Sequence, residues 1–375
     1  MKQAAVALTL GMIALIAVAG TAQSRNASFL FAWNQPQAVS YLTSRTTSWL
    51  KWGGSARGAG TACISCHTGL PLSLSLAALS AKNSLNKAGE AEALLITDVK
   101  ARVRGWRTIT SASAAQGDSP QCYYGDKRPS SLGTESVMNA LVLADYDQSH
   151  GRIAPGNYTR TALNYMWQQQ QPDGSWLWLE FGLSPWEHDG TYYGASLAAM
   201  AAGMAGPTYL HAPNVQHHIA ILRRYLQEGF EKARLHDATV CLLASTWLPK
   251  LLTRTEQLQV VKRLEGVQNT DGGWSLHSLG TVGTQPSQWS NPGTYPPNSN
   301  SDGYATGLVV LALERLRAPG TSLVVSRGVY WLINHEVNGS WPADYINGPR
   351  DPHTMEGHFM RDAATAFAVL ALQQY

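Results

Sequence analysis

Three stretches of this 375-residue chain share one pattern, and that sharing restricts the fold more than any other feature. Gln170-Gln171-Pro172-Asp173-Gly174-Ser175-Trp176 reads Q-x-x-D-G-S-W, and Gln268-Asn269-Thr270-Asp271-Gly272-Gly273-Trp274 reads Q-x-x-D-G-G-W. A looser copy, His335-Glu336-Val337-Asn338-Gly339-Ser340-Trp341, keeps Gly and Trp but has His for Gln and Asn for Asp. Each copy follows an amphipathic stretch of helical period, over 159–171, 255–268 and 322–335. The Asx-Gly pair makes a tight turn, because glycine accepts positive φ and the Asx side chain bonds the backbone. The Trp is then placed to lie over the helix end that the chain has just left. One copy would be an ordinary turn. Three in register are a repeat, and repeats must be found before domains are counted.

Downstream of each turn the sequence becomes apolar on nearly all sides, with small residues throughout. Such segments cover 135–143, 189–202, 237–248, 302–313 and 362–372, and Ala-Thr-Gly-Leu-Val-Val-Leu-Ala-Leu at 305–313 closely matches Ala-Thr-Ala-Phe-Ala-Val-Leu-Ala-Leu at 364–372. One repeat length before Glu135 stands His67, followed by a sixth such segment at 70–81. A helix apolar all round is surrounded by protein. Six more polar, amphipathic helices are expected before them, at 37–52, 90–110, 158–171, 215–232, 255–268 and 322–335. Alternating outer and inner helices predict an all-α chain folded as an (α/α)6 toroid, six helical hairpins closed into a ring. The stretch at about 277–300, rich in Gly, Pro, Ser and Asn, is expected as a loop inserted at the mouth. Asp189, Asp237, Asp302 and Asp362 begin four inner helices and are expected to cap them.

The ring accounts for a composition of 44% hydrophobic and only 14% charged residues, where ordinary domains run near ~25% charged. A net charge of +3, from 28 Lys+Arg against 25 Asp+Glu, excludes nucleic acid as a partner, which would need clustered basic residues. Residues 1–22 read as a signal peptide: Lys2 precedes an uncharged apolar run at 4–19 and small-x-small sites at 17–19 and 20–22. That run is short of the roughly 20 residues a membrane span needs. The expected product is a monomer, periplasmic or secreted, with one toroid domain over 23–375 rather than the two that its length would allow.

The Q-x-x-D-G-[SG]-W turns resemble the QW repeats of squalene–hopene and oxidosqualene cyclases and of protein prenyltransferase β-subunits. The resemblance implies a toroid whose inner helices line a central cavity for isoprenoid chains. It implies that Gln170 and Gln268 bind adjacent helix ends while Trp176 and Trp274 stack on them, with Asp173, Asp271 and Trp341 in the same structural element. The cyclases' D-x-D-D-T-A acid has no counterpart: the stretches ending at Asp302 and beginning at Arg361-Asp362 lack the paired carboxylates that keep one of them protonated. No D-D-x-x-D cluster is present to hold magnesium and a diphosphate, so ordinary triterpene cyclisation is not expected. Trp186, Asp189, Tyr192, Asp237, Asp302, Tyr304 and Asp362 are the candidates to line a cavity, with an apolar small molecule or a peptide as the ligand.

Cys63-Ile64-Ser65-Cys66-His67 has the spacing of c-type haem attachment, in which two thiols bond the vinyl groups and the histidine ligates iron. The register puts His67 where other repeats have an inner-helix Asp, at the mouth of the ring. His188, His236, His353, Met355 and His358 are candidates for a further ligand. The same residues suit zinc, with Cys122 completing a Cys3His set, a layout similar to the zinc toroids of lanthionine cyclases and prenyltransferases. They also suit a Cys63–Cys66 disulfide, which leaves His67 without a role and Cys241 unassigned. Three functions follow: a haem-bearing toroid that binds or oxidises an apolar ligand, a zinc-containing or non-catalytic binding toroid, and a carbohydrate-active enzyme using carboxylates among Glu135, Glu187, Asp189 and Asp237.

Overall fold

The computed structural model describes residues 32–81, 86–109, 125–285, 287, 289, 299–317, 320–348 and 351–375. The expected signal peptide, Cys122 and much of the expected mouth loop lie outside them. Twelve long helices alternate along the described chain, beside one-turn helices at Pro207–Leu210 and Leu276–Leu279. The outer ones are α1 (Gln35–Lys51), α3 (Asn86–Ile109), α5 (Asn157–Gln168), α7 (Pro213–Gly229), α9 (Arg254–Gly266) and α11 (Ser322–Asn334). The inner ones are α2 (Gly69–Ser80), α4 (Arg128–Ser149), α6 (Thr191–Met204), α8 (Leu235–Ser245), α10 (Gly303–Leu316) and α12 (Phe359–Leu372). Each inner helix packs on the next, and α12 packs on α2, so the inner ring is closed. This is the (α/α)6 toroid that the repeats predict.

Burial follows the two helix textures. In α7 the buried residues are Val215, Ile219, Leu222 and Leu226, one stripe at helical spacing. In α6 every residue from Tyr192 to Met204 is buried, because neighbours surround it on all sides. Asparagine, threonine and aspartate begin the helices where the backbone N–H groups need acceptors: Asn34 accepts from Gln37 N, Thr253 and Glu256 form a capping box on α9, and Asp302 accepts from Ala305 N. Only Asp302 of the four inner-helix aspartates is a cap. Asp189 precedes α6 at φ 51° and pairs with Arg234, Asp237 sits inside the first turn of α8 bonded to His236, and Asp362 lies inside α12 bonded to other helices. The expectation of four caps gives way because Asp189 and Asp362 pair with guanidinium groups from other hairpins and Asp237 with the adjacent imidazole of His236.

The repeated turns are the fasteners of the ring. Trp176, Trp274 and Trp341 are fully buried, and each indole N–H donates to a carbonyl in the last turn of the preceding outer helix: Met166 (2.8 Å), Leu264 (2.8 Å) and Leu332 (2.6 Å). Gln170 reaches forward to the His218 carbonyl of α7 (3.1 Å), and Gln268 to the Val324 carbonyl of α11 (2.9 Å). Asp173 and Asp271 brace their turns by accepting from Ser175 N (2.9 Å) and Gly273 N (3.0 Å). The turn glycines lie against the backbone of the next outer helix: a Cβ on Gly174 would stand 2.6 Å from the Ile221 carbonyl oxygen, and one on Gly272 2.8 Å from that of Arg327. The third copy has no later outer helix to meet. Gly339 instead abuts the Gln37 backbone of α1, where a Cβ would stand 2.3 Å from the carbonyl, and Glu336 accepts from Asn34 N (2.7 Å). His335 turns back to the Trp331 carbonyl (2.7 Å), so the weakest copy by sequence is the one that seals the ring.

Gly339→Ala is therefore expected to cost about 2 kcal/mol or more, since it adds a Cβ at φ +78° against backbone that cannot retreat. Gly53→Ala, where a Cβ would meet nothing within 4 Å, should stay within about 0.5 kcal/mol. Urea unfolding of both variants beside the parent chain measures the difference, and equal costs would contradict the seam.

Candidate functional site

The C-x-x-C-H motif is held by a small framework before α2. β1 (Ala56–Arg57) pairs antiparallel with β2 (Thr61–Ala62), and Cys63 N donates to the Ser55 carbonyl (2.8 Å). The helices on either side anchor this hairpin: Ala62 N donates to Asp98 Oδ1 (2.9 Å), Arg102 Nη1 to Thr61 Oγ1 (3.0 Å), and Trp49 Nε1 to the Cys63 carbonyl (3.0 Å). Ser65 Oγ accepts from Thr68 N (3.1 Å) and Gly69 N (3.0 Å), which ends the motif and starts α2.

Cys63, Cys66 and His67 all line one cavity of about 290 Å³ at this end of the ring. Its other walls are Trp49, Trp52, Leu179, Phe181, Leu183 and Phe359, with Met138, Glu135, Glu187, Arg57 and Asn347 supplying the polar and sulfur atoms. The thiols are free, and burial pushes Cys63 up to about 11 and Cys66 well above the ordinary thiol range. Neither is a thiolate at neutral pH. Cys66 Sγ lies 3.7 Å from Met138 Sδ. The His67 ring stacks on Phe359 with centroids 3.7 Å apart and meets the edge of Trp49 at 5.6 Å. Its Nδ1 stands 3.0 Å from Thr68 Oγ1, and the Thr68 hydroxyl donates to Asp362 Oδ2 (3.1 Å). Asp362 is fully buried and also accepts from Tyr41 OH (2.8 Å), Arg45 Nε (2.8 Å) and Arg45 Nη2 (3.0 Å). Burial moves its carboxyl upward against the opposing pull of the Arg45 guanidinium. On the far wall Glu135 is gripped by Arg102, each oxygen 2.7 Å from a guanidinium nitrogen. That geometry favours the ionised carboxylate.

The seven cavity candidates named from the sequence do not line this cavity. Trp186 and Tyr304 are buried and bonded to each other, Nε1 to OH at 2.9 Å. Tyr192 points outward to the Leu226 carbonyl (2.9 Å), and its neighbour Tyr193 faces a small apolar lumen further down the ring. Asp189 is exposed at the rim of a separate surface pocket, and Asp237, Asp302 and Asp362 are engaged as described above. The further-ligand candidates scatter. His188 is at the surface, and His353 is exposed. His236 is not on the rim but wholly buried, with Asp237 Oδ1 2.7 Å from one nitrogen and Tyr304 OH 2.8 Å from the other. Met355 packs beside Trp49, Phe359 and Cys63, but its sulfur accepts from Arg45 Nη1 (3.4 Å). His358 stands next to Phe359 and is pushed down to about 4 by burial and the charges of Arg45, Arg361 and His353.

Sequence reasoning missed Met138, Arg102, Thr68 and Phe359. Met138 had a usable signal, since it lies one helical turn after Glu135 and so on the same face of α4. Arg102 and Phe359 had none, because only the closed ring brings them to the motif. Among the described residues no three His, Cys, Asp or Glu side chains gather as a metal-ligand group. Cys63, Cys66 and His67 therefore face one space without converging on one point.

No family model matches the chain, and no curated protein matches it. Solved structures do. The chain is similar to a glycosidase at 11% identity and TM-score 0.52, over 93% of this chain and 97% of that one. It is also similar to the ent-copalyl diphosphate synthase from Streptomyces platensis (14% identity, TM-score 0.47, 82% of this chain) and spans half the length of that enzyme. A possible member of the GH105 family from Salmonella enterica aligns over 90% of this chain and 93% of its own, at 12% identity and TM-score 0.36. At such identities the likeness is one of fold, the helical toroid.

Breaking the Arg102–Glu135 pair should be costly. Arg102→Ala strands a buried carboxylate and is expected to lose about 3–5 kcal/mol in denaturant unfolding; a loss below 1 kcal/mol would mean that water replaces the guanidinium. Asp302 gives a pH test. Burial and the nearby Asp344 push its carboxyl up to about 7 against the N–H groups that it accepts. A folded-state value above the unfolded one means that the group favours folding below the ordinary carboxylate range and loses that contribution as pH rises to about 7. Asp302→Asn keeps an acceptor for the cap and removes the titration, so its stability relative to the parent should improve steadily from pH 4 to pH 7.

Proposed function

We propose that this chain is an exported toroid carrying covalent c-type haem on Cys63 and Cys66, with His67 as an axial ligand, and that it acts on or binds a small apolar molecule beside that group. The observation that carries the reading is the common cavity: both thiols and the imidazole line one space yet form no single-point donor set. Zinc needs its donors converged at about 2.0–2.3 Å from one centre. A covalent haem would use the three residues separately, Cys63 and Cys66 holding the group through their sulfurs and His67 offering its imidazole to the iron. The neutral thiols, Cys63 half-buried and Cys66 buried, suit the attachment chemistry, in which each S–H would add across one vinyl group, sulfur to one carbon and hydrogen to the other. Aromatic and aliphatic walls suit an apolar macrocycle, and Arg57 offers a cation for its acidic substituents.

When bound, haem would supply one-electron chemistry and a place for a small ligand at iron. The protein's own part is to hold the imidazole between Phe359 and Trp49 and to keep water out with its aromatic walls.

A second reading, a carbohydrate-active enzyme, has one observation on its side: Glu135 and Glu187 line the same cavity. The likeness to a glycosidase agrees with it. Arg102 holds Glu135 ionised from both oxygens, which leaves Glu187 as the candidate acid, while Asp189 and Asp237 are tied to Arg234 and His236 elsewhere.

Co-expression with a c-type haem maturation system separates the readings. The expected product is coloured, keeps its Soret band after acid–acetone extraction and gains the mass of one haem, and Cys63→Ala with Cys66→Ala removes the band. A colourless full-length product whose Glu187→Gln variant alone loses activity on a glycoside would overturn the haem reading in favour of the second.

A further inference from the structure

The Thr68 hydroxyl has one proton, and the structure fixes where it goes. Asp362 is buried and ion-paired on both oxygens with Arg45, an acceptor only, and it lies 3.1 Å from Thr68 Oγ1. Thr68 therefore donates to Asp362. The 3.0 Å contact between Thr68 Oγ1 and His67 Nδ1 then leaves Nδ1 as the donor; Ser65 Oγ also faces this nitrogen but at 3.5 Å, so the shorter contact decides, and the imidazole lone pair stands on Nε2. The chain runs from His67 Nδ1–H through Thr68 to Asp362, which lies 294 positions beyond Thr68, and joins the motif to α12.

We propose that Thr68 and Asp362 are positioning residues that lock His67 in the Nδ1–H tautomer, presenting Nε2 as its metal-binding atom. What the lone pair serves rests on the haem reading above; the tautomer does not. Histidines that ligate metals commonly donate their second N–H to a carboxylate or another acceptor, which fixes the ring and raises its basicity. Here a hydroxyl relays that carboxylate, and Phe359 holds the ring plane.

The tautomer is read on the full-length, haem-free chain by long-range 1H–15N correlation of ¹⁵N-histidine-labelled protein at pH 8, with His67→Gln identifying the His67 signals. The expected result is a protonated Nδ1 and an unprotonated Nε2 in the parent and in Thr68→Ser, and loss of that preference in Thr68→Val. An Nε2–H tautomer in the parent overturns the proposal, as does a Thr68→Val spectrum identical to the parent's. Should Thr68→Val not fold, the parent and Thr68→Ser spectra still decide. In haem-loaded protein Thr68→Val is expected to raise the midpoint potential and Thr68→Ser to restore it, which packing alone would not do. A correct tautomer in a chain that never takes up haem would sink the cofactor reading and leave this one standing.

Discussion

A tight turn pressed against the backbone of the next helix is the contact on which this ring depends. Outer helices touch the core along one stripe only, and nothing in that stripe fixes their order around a circle. The turn supplies the missing constraint twice over. Its tryptophan bonds backward to the helix just finished, and its glycine and glutamine meet the helix to come. Each of the three hairpins that carry the turn is thereby pinned to the next through main-chain atoms, which do not change with side-chain fashion. Substituting the glycine fails for two separate reasons, backbone conformation and lack of space, so the sequence repeats it where it relaxes almost everything else.

The candidate site stands at the place where the circle is completed. α1, the start of α2 and α12 meet there through one buried carboxylate, Asp362, which takes four hydrogen bonds from Tyr41, Arg45 and Thr68. A carboxylate this deep is tolerable only with such a set of donors. The same network touches His67, so the structural closure and the chemistry of the motif share atoms. Glu135 and Arg102 repeat the arrangement on the opposite wall, again as a fully satisfied pair. The cavity is lined by one arm of these networks, Glu135, together with Glu187, Arg57 and Asn347 among rings and aliphatic groups, while the Asp362 cluster stands behind His67.

The architecture was legible in the sequence because it is written in periodicity. Expected inner helices such as 70–81 and 362–372 appear at Gly69–Ser80 and Phe359–Leu372, and the outer ones agree as closely. The site was legible only where its residues are neighbours in the chain, as Cys63, Cys66 and His67 are. Register along a helix start does not say which way a side chain points: Tyr192 and Tyr193 differ by one position and face outward and inward. Nor does it say what a charged residue will meet. The helix starts make caps of Asp189, Asp237 and Asp362, but a guanidinium from another hairpin claims Asp189 and Asp362, and the imidazole of the adjacent His236 claims Asp237. His236 shows the same limit, being drawn by Asp237 and Tyr304 into the middle of the ring rather than left on its rim.

The seam has a consequence in time. Tyr41 and Asp362 are 321 residues apart, and a ribosome adding roughly 5–20 residues per second needs about 15–65 s to make the second after the first. Through that interval the first hairpin has one flank without its native neighbour, and Arg45 has no carboxylate. α12 carries the answer to both needs in a single helix, so that its arrival converts an open arc into a closed body. A circular permutant with new ends at the gap after Gly151, between α4 and α5, would join the seam early and move the waiting edge elsewhere.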